Sequence, residues 1–410
     1  MYYNDVHKTY FGGLKMELSQ KALSISPSST LAIDAKAKKM KADGIDIIGF
    51  GAGEPDFDTP DHIKDAAIKA INDGFTKYTP ASGTLELKKA VCNKFLNDNK
   101  LEYKPSNIVI SNGAKHSLVN AFQAILNPGD EVIIPAPFWV SYPEMVKLAD
   151  GVPVILNSTE EEGFKLSIEK LEKAITPKTK AIVINSPSNP TGMIYSEDEL
   201  RAIADIAVSK GIFVVSDEIY EKLIYDGYKH VSIASFNDKI KDLTIIVNGV
   251  SKTYSMTGWR IGYTASNEKI ATIMSNVQSH ATSNPNSIAQ KAALAALEGP
   301  QDIIDIMKAE FVKRRDYMVD RINSIKGLSC IKPNGAFYVM MNISKFIGTE
   351  IDGVKINGSD DFAELLLEKA KVALVPGSGF GTDIHVRLSY ATSLENIKEG
   401  LNRIENFLNK

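Results

Sequence analysis

Short apolar runs rich in β-branched residues alternate with amphipathic stretches through the middle of the chain. This alternation predicts repeated β–α units, with strands at residues 107–111, 131–135, 152–156, 181–185, 212–216 and 243–247. Several of these runs are apolar almost throughout, which is typical of strands that are covered on both faces. The pattern therefore predicts an α/β fold with a mostly parallel sheet and helices on both of its faces.

Amphipathic stretches between the strands predict helices, and one of them has clear boundary signals. Thr59 is predicted to cap it, Pro60 to occupy its first turn and Gly74 to end it. Its apolar side chains are expected on one face: Ile63, Ala67 and Ile71. Residues 87–95 and 200–207 have the same helical spacing.

The pattern changes after Gly299 and Pro300, where a long charged amphipathic segment begins. It covers residues 301–326 and predicts a helix that connects two domains. Beyond it, strands are predicted at 337–341 and 385–389, and helices at 361–370 and 393–408, a mixture typical of an α+β domain. The predicted organisation is a tail (1–15), an N-terminal segment of the small domain (16–59), a large domain (60–298) and a small C-terminal domain (299–410).

Composition narrows the possible partners. The 410 residues are 44% hydrophobic and 24% charged, as in ordinary globular proteins, and 47 basic residues against 50 acidic ones give a net charge of −3. No basic field is present to attract nucleic acid or an anionic membrane surface. No apolar run approaches the length of a membrane helix, and the first fifteen residues lack the apolar core of a signal peptide. We therefore expect neither nucleic acid nor a membrane as a partner.

The cysteines and histidines of the chain argue against a disulfide-rich protein and against a metalloprotein. Cys92 and Cys330 are the two cysteines of the chain, and so small a number cannot build a disulfide framework, which favours a reducing cytoplasm. The six histidines are scattered without the spacing of metal ligands, so no metal site is predicted.

Polar residues follow the predicted strands at the point where each strand ends. They lie in the segments 112–115, 138–139, 185–192, 217–220 and 248–252. Open α/β sheets bind ligands beyond the carboxyl ends of their strands, so these segments are expected to converge on one crevice. A lysine, an aspartate, a tyrosine, an asparagine, a tryptophan and a glycine turn that opens a helix suit a flat anionic cofactor.

Each of these residues alone has an ordinary structural explanation. Lys252 and Arg260 resemble solvated surface charges, and Asp217 resembles a helix cap. Trp139 is the kind of residue found in a core, and Asn189 is common in turns. These explanations must hold independently, whereas a shared binding site explains the residues together.

Several longer motifs identify a family. The chain contains SKTYSMTGWRIGY at 251–263, NSPSNPTG at 185–192, SDEIY at 216–220 and GAGEPDFDTP at 51–60. This set resembles the class I pyridoxal-phosphate-dependent aminotransferases. Together with KYTPASG, PFWVSYPEM and HVRLSYATS, it is most similar to their bacterial aspartate aminotransferase branch. The resemblance extends from Leu18 to the C-terminus and implies the pyridoxal-phosphate-dependent transferase fold.

The resemblance implies roles for the residues at the cofactor ring. Lys252 would hold pyridoxal 5′-phosphate as a Schiff base and, once the substrate displaces it, carry the proton of the substrate Cα. Asp217 would face the pyridine nitrogen and favour its protonated form. Tyr220 and Asn189 would hydrogen-bond the 3′-oxygen, and Trp139 would stack on the ring.

The resemblance also implies a phosphate site and a shared active site. Backbone N–H groups at a helix start, a hydroxyl group and a guanidinium group would bind the phosphate: Gly113, Ala114, Lys115, Ser251 and Arg260. Tyr78 aligns with the tyrosine that reaches the phosphate of the neighbouring subunit in this family. We therefore expect a homodimer with shared active sites.

The implied reaction moves the amino group of L-aspartate to 2-oxoglutarate by a ping-pong mechanism, giving oxaloacetate and L-glutamate. The substrate would be bound by Gly53, Trp139, Asn189 and Arg387, with Lys115 and Thr30 at its distal carboxylate. The better-known branch uses an arginine of the partner subunit for that carboxylate, but the corresponding stretch here, residues 279–290, contains none. Members that also accept prephenate carry a lysine near the position of Ser26, so its absence makes that side activity doubtful.

Other functions remain open at this stage. The same fold hosts aminotransferases of alanine or aromatic amino acids and lyases that eliminate a side-chain group. A nicotinamide-dependent dehydrogenase is suggested by Gly377, Gly379 and Gly381, but Thr382 stands where the third fingerprint glycine belongs, so a loop is predicted there. The lysine, aspartate and arginine set argues against a non-catalytic ligand-binding protein.

Overall fold

The structure, a computed structural model, describes residues 8–11, 14–27 and 29–409. Within these ranges, residues 8–11, 14–16, 29–32 and 34 are described by their backbone alone. The strands are β1 (Lys8–Phe11), β2 (Leu14–Glu17), β3 (Ile48–Gly49), β4 (Ile108–Ser111), β5 (Glu131–Ala136), β6 (Val152–Asn157), β7 (Thr179–Asn185), β8 (Phe213–Asp217), β9 (Thr244–Gly249), β10 (Gly262–Ala265), β11 (Tyr338–Asn342), β12 (Glu350–Ile351), β13 (Val354–Lys355), β14 (Val372–Ala373), β15 (Val375–Pro376) and β16 (His385–Ser389). The helices are α1 (Gln20–Leu23), α2 (Ser29–Ala42), α3 (Asp61–Asn72), α4 (Leu85–Lys94), α5 (Ala114–Ile125), α6 (Ser141–Leu148), α7 (Ile168–Ala174), α8 (Glu197–Lys210), α9 (Asp238–Leu243), α10 (Glu268–Ala281), α11 (Ser287–Glu298), α12 (Asp302–Ser324), α13 (Ser359–Leu365) and α14 (Leu394–Leu408).

A seven-stranded sheet organises the middle of the chain, in the order β4-β10-β9-β8-β7-β5-β6. Strands β9, β8, β7, β5 and β6 are parallel to one another, and β10 lies antiparallel between β4 and β9. All six predicted strands are present, whereas β10 was not predicted. The carboxyl ends of the parallel strands meet at one edge, and the segment before β10 reaches the same edge from the opposite direction.

Helices cover both faces of this sheet, which confirms the predicted fold class. Alternate residues of a strand face opposite sides. Val132 and Ile134 of β5 therefore pack in one buried cluster with residues of α5, α6 and α10, while Ile133 packs in another with residues of α7 and α8. Near-complete burial on both faces accounts for the continuous apolar runs.

The C-terminal third builds a second core beside the large sheet. Strands β11, β16 and β15 form a three-stranded antiparallel sheet, and the predicted strand at 385–389 matches β16. Residues of α12 and α14 pack against it, including Phe311, Met318 and Ile404. Strand β3 pairs in parallel with β14, so the N-terminal segment joins the C-terminal third rather than the large sheet.

Two predictions for α3 were wrong, one about its first residue and one about its buried face. The helix begins at Asp61 with Pro60 as its cap residue, because the Thr59 hydroxyl is engaged elsewhere. Thr59 Oγ1 donates to the Ser255 carbonyl at 2.7 Å and accepts from Trp259 Nε1 at 3.0 Å. Ile71 is 53% exposed. A residue eight positions after Ile63 lies about 80° around the helix from it, outside the buried face.

Three further predictions concern the ends of the chain and the glycine-rich segment. Of the predicted tail at residues 1–15, residues 1–7 and 12–13 lie outside the described part, and β1 pairs with β2 as an antiparallel hairpin. No described helix is long and apolar enough to cross a membrane. Residues Gly377–Phe380 form a short 3-10 helix between β15 and β16, so this segment is not part of a dinucleotide-binding β–α–β unit.

Candidate active site

A cavity of about 710 Å³ opens at the carboxyl edge of the large sheet. Most of the predicted site residues line it: Gly53, Ala114, Lys115, Trp139, Asn189, Asp217, Tyr220, Ser251, Lys252, Arg260 and Arg387. They come from the strand ends and loops of the large sheet, from the start of α5, from the segment after β3 and from β16. The convergence that the strand pattern predicted is therefore present.

Asp217 is the last residue of β8, and its carboxylate is buried in the wall of the cavity. Tyr142 Oη donates to Asp217 Oδ2 at 2.7 Å, and the backbone N–H of Ile219 donates to Asp217 Oδ1 at 3.2 Å. Burial raises the pKa of Asp217 to about 6, although both hydrogen bonds oppose this shift. The carboxylate is therefore ionised at neutral pH, and no cation among the described residues forms an ion pair with it.

Lys252 lies three residues after β9, and its ammonium group faces the same cavity. Its Nζ donates to the carbonyl of Gly53, in the segment that follows β3. Burial lowers the pKa of Lys252 to about 8, and Glu54 partly opposes this shift. An appreciable fraction of neutral amine is therefore present near neutral pH, which is the form that acts as a nucleophile.

An anion-binding region lies where α5 begins. Gly113 occupies the cap position with φ +88°, and no side chain caps the helix, so its first N–H groups are available to an anion. Arg260 lies against this glycine: a Cβ at residue 113 would come within 2.1 Å of the arginine Nη2. Arg260 is tethered by donating to the carbonyls of Thr257 at 2.9 Å and Asn112 at 3.3 Å.

Arg387 projects from β16 and is buried against aromatic rings. Its Nη1 donates to Asn189 Oδ1 at 3.0 Å and its Nη2 to the carbonyl of Gly51 at 3.0 Å. Its guanidinium carbon lies 4.4 Å from the centroid of the Tyr338 ring. Its Nε is buried and has no hydrogen-bond partner among the described residues. A fixed cation in the lining of the cavity suits a carboxylate ligand.

Lys115, on the first turn of α5, adds its charge to those of Lys252, Arg260 and Arg387 in the cavity. Its Nζ lies 4.8 Å from the centroid of the Trp139 ring. Burial lowers the pKa of Lys115, and the nearby charge of Arg260 lowers it further. The cavity therefore holds lysine and arginine groups beyond those that a single phosphate requires.

Comparison with known proteins assigns a family to this geometry. The family model described as aminotransferase class I and II matches residues 45–404. The chain belongs to this family. An aspartate aminotransferase of Bacillus subtilis is 54% identical over 395 residues, which are 96% of this chain and 100% of that protein.

Two further relatives have informative names. An aspartate/prephenate aminotransferase of Nitrosomonas europaea is 49% identical, over 96% of this chain and all of that protein. The solved aspartate aminotransferase of Thermus thermophilus with maleate is 42% identical and has a TM-score of 0.90, covering 96% of this chain and 100% of that one. The family and its fold therefore extend over nearly the whole chain.

Several residues of this aminotransferase site were not predicted from the sequence. Tyr142 binds Asp217, as described above, and Tyr338 Oη lies 3.0 Å from Tyr220 Oη. Asn185 Oδ1 accepts from the backbone N–H of Asn189 at 2.7 Å. The cavity is also lined by Glu54 and Lys38. Tyr142, Asn185 and Glu54 lie inside motifs that carry the family resemblance, so that signal was available.

Two predicted site residues do not line the cavity. Gly113 directly precedes Ala114, the lining residue at the start of α5. Tyr78 is 89% exposed on the surface of this single chain. The prediction for Thr30 falls on a side chain outside the described residues. Gly53 contributes its carbonyl to Lys252, whereas the backbone group that contacts Arg387 belongs to Gly51.

Proposed function

We propose that this aminotransferase moves the amino group of L-aspartate to 2-oxoglutarate by a ping-pong mechanism, giving oxaloacetate and L-glutamate. The observation that carries the proposal is a cavity in which Lys252 and Asp217 are joined by two further cations, Arg387 and Lys115. The first pair suits a cofactor, and the second pair suits an amino acid with two carboxylates. The names of the relatives support the same substrate.

The donor set fits pyridoxal 5′-phosphate. The uncapped start of α5 and the tethered Arg260 match a phosphate group, Asp217 matches a protonated ring nitrogen, and Lys252 supplies the amine for covalent attachment. Ser251 and Tyr220 line the same space. When bound, this cofactor supplies an electron sink for the electron pair left when the substrate Cα loses its proton.

Protein side chains then perform the proton and charge chemistry. Lys252 Nζ would carry the proton from the substrate Cα to the cofactor, a role that its depressed pKa of about 8 supports. Asp217 would supply a negative charge to the ring nitrogen, and Tyr142 and the Ile219 N–H stabilise that carboxylate. Trp139, beside the same cavity, contributes an aromatic wall against the ring.

Arg387 binds the α-carboxylate in this proposal. Its guanidinium is held in place by Asn189 and the Gly51 carbonyl and lines the cavity. Lys115 binds the distal carboxylate in this proposal. Its ammonium group lies beside the neutral ring of Trp139, so a substrate carboxylate can supply the counter-charge. The maleate complex of the Thermus thermophilus relative shows a dicarboxylate with a protein of this family.

The variant Lys115→Ala tests the substrate assignment. We expect kcat/KM for L-aspartate to fall by about a hundredfold, because a charge-assisted contact to the distal carboxylate is lost. Activity on L-alanine or L-phenylalanine, which lack that carboxylate, should change far less. Lys210→Ala, on the exposed last turn of α8, is the matched control. Equal losses on all three amino acids would show that Lys115 serves only the cofactor.

We also propose a homodimer with shared active sites, in which Tyr78 reaches the phosphate of the neighbouring subunit. Its 89% exposure in the single chain supports this role. Large apolar side chains nearby in sequence are also exposed, on α3 and at the start of α4: Ile68, Ile71 and Leu85. Exposed apolar residues in such a group are typical of a protein interface.

The proposed domain boundaries are 16–59 together with 299–410 for the small domain and 60–298 for the large one. The pairing of β3 with β14 supports the first of these assignments. We propose a cytoplasmic location, supported by two free cysteines, Cys92 and Cys330.

A further inference from the structure

A buried group of charged side chains lies behind the wall of the cavity. It consists of Lys94, Glu218, Glu221 and His230, and we call it the charge cluster. None of these four residues lines the cavity. Glu218 directly follows Asp217, and Glu221 directly follows Tyr220, so the cluster shares one short chain segment with two residues of the site.

Glu221 is the centre of the charge cluster. Its Oε1 contacts Lys94 Nζ and accepts from Asn248 Nδ2 at 2.9 Å, and its Oε2 accepts from Asn99 Nδ2 at 2.9 Å. His230 Nε2 lies 4.0 Å from the same carboxylate. Burial alone would raise the pKa of Glu221, but Lys94 and His230 outweigh it and lower the pKa to about 2. The carboxylate is therefore ionised at neutral pH.

Glu218 forms the second half of the cluster. It accepts from Ser216 Oγ at 2.9 Å and Ser232 Oγ at 2.7 Å, and His230 Nε2 lies 2.9 Å from its Oε2. Burial lowers the pKa of His230, but Glu218 and Glu221 outweigh it, so the net shift is upward. Two buried carboxylates thus face the Lys94 ammonium group and the His230 imidazole.

The hydrogen bonds of Glu221 join chain segments that carry the catalytic groups. Asn248 is in β9, four residues before Lys252, and Glu221 is four residues after Asp217. Lys94 and Asn99 belong to the end of α4 and the turn that follows it. One carboxylate accepts on both oxygens from three donors, which an amide cannot do.

We propose that Glu221 is a positioning residue: its buried carboxylate holds the segment that carries Asp217 and Tyr220 against the strand end that leads to Lys252. This inference rests on the proposed function, because those three residues are its catalytic groups. A buried ion pair is often no more stabilising than well-packed apolar side chains, so stability alone does not explain the cluster. Its hydrogen bonds instead fix the relative position of two loops.

The double variant Lys94→Met/Glu221→Met tests this role without leaving one buried charge unpaired. In the cofactor-loaded enzyme we expect kcat for aspartate to fall about tenfold or more, because small displacements of reacting groups are costly. KM should stay within about twofold, because Arg387 and Lys115 do not contact the cluster. The pH midpoint of the visible absorbance of the bound cofactor should move by about half a unit or more, because it reports the surroundings of Lys252.

Glu221→Gln is the conservative companion variant. Its amide oxygen can still accept from Asn248 and Lys94 while its NH₂ group faces Asn99, so one side of the link is kept. We expect kcat and the absorbance midpoint to lie between those of the wild type and the double variant. Glu162→Gln removes the carboxylate of an ion pair with Lys170 that lies outside the cavity. This control should leave kcat and the absorbance midpoint unchanged.

The outcomes separate positioning from simple stabilisation. Wild-type kcat and wild-type absorbance midpoint in a folded double variant would overturn the proposal. If the double variant does not fold, Glu221→Gln decides: a lower unfolding temperature with unchanged kcat and midpoint would also overturn it. Failure of the proposed function is distinguishable, because the wild-type protein itself would then show no cofactor band or no transamination.

Discussion

The buried charge of Asp217 should lower the free energy of unfolding of the cofactor-free protein. Its carboxylate is buried, and its pKa is about 6 against an ordinary value of 3.8. The variant Asp217→Asn removes the charge and keeps the size of the side chain. We predict that this variant is more stable than the wild-type protein in the absence of cofactor, although it is the less active enzyme.

The magnitude follows from the pKa. A displacement of about two units corresponds to about 3 kcal/mol of unfavourable free energy for the ionised carboxylate in the folded state. Asparagine still offers one oxygen to the hydrogen-bond donors of Asp217, which are Tyr142 Oη and the Ile219 N–H, and loses about 1 kcal/mol by weakening these contacts. The expected net gain at pH 8 is therefore about 2 kcal/mol in the free energy of unfolding.

The sign of the pH dependence is fixed by the same shift. Because the folded protein binds this proton more tightly than the unfolded chain, the penalty is fully present above pH 6. It diminishes as the pH falls from about 6 towards about 4, where the unfolded state also becomes protonated. The difference between variant and wild type should shrink in parallel.

Urea unfolding of both cofactor-free proteins at about pH 8 and about pH 4.5 measures this difference. Asp226→Asn is a control of opposite sign, because the Arg315 hydrogen bond lowers the pKa of that carboxyl and its loss should destabilise the protein. If Asp217→Asn is less stable at pH 8, or if its difference from the wild type does not depend on pH, the reasoning about Asp217 is wrong.

Three further predictions follow from the site. Arg387→Lys keeps the charge but loses the planar fork, so KM for aspartate and for alanine should rise alike, by about tenfold, in steady-state assays. Gly113→Ala should weaken cofactor binding by about tenfold in fluorescence titration, because its Cβ would meet the Arg260 guanidinium and its φ of +88° is unfavourable for alanine. Mixing inactive Tyr78→Ala and Lys252→Ala proteins should restore activity through hybrid dimers; no gain would mean that each subunit holds a complete site.

The sequence predicted the main site because parallel strands end at one edge of their sheet. Residues directly after β7 and β9, and Asp217 at the end of β8, therefore meet without any long-range information. Strand β10 was missed because it is only four residues long and begins with glycine, which weakens a strand pattern. Its antiparallel position nevertheless brings Arg260 to the same edge as Asp217 and Lys252.

Contacts between distant segments could not be read from the pattern. Tyr142 is on α6 and Tyr338 is on β11, and only the packed structure shows that their hydroxyl groups meet Asp217 and Tyr220. The charge cluster was even harder to predict. Strands β4 to β8 lie between Lys94 and His230 along the chain, so no local pattern links these two residues. Thr59 shows the reverse: a local cap signal was overridden by tertiary hydrogen bonds.

The central claim is that Lys252 and its neighbours use pyridoxal phosphate to exchange the amino group of aspartate. The most direct measurement is the visible absorption spectrum of the reconstituted protein, followed during addition of L-aspartate and then of 2-oxoglutarate. We predict a visible band that aspartate shifts to shorter wavelength with release of oxaloacetate, and that 2-oxoglutarate restores. Absence of the band would contradict the role of Lys252, and a band that ignores aspartate would contradict the proposed substrate.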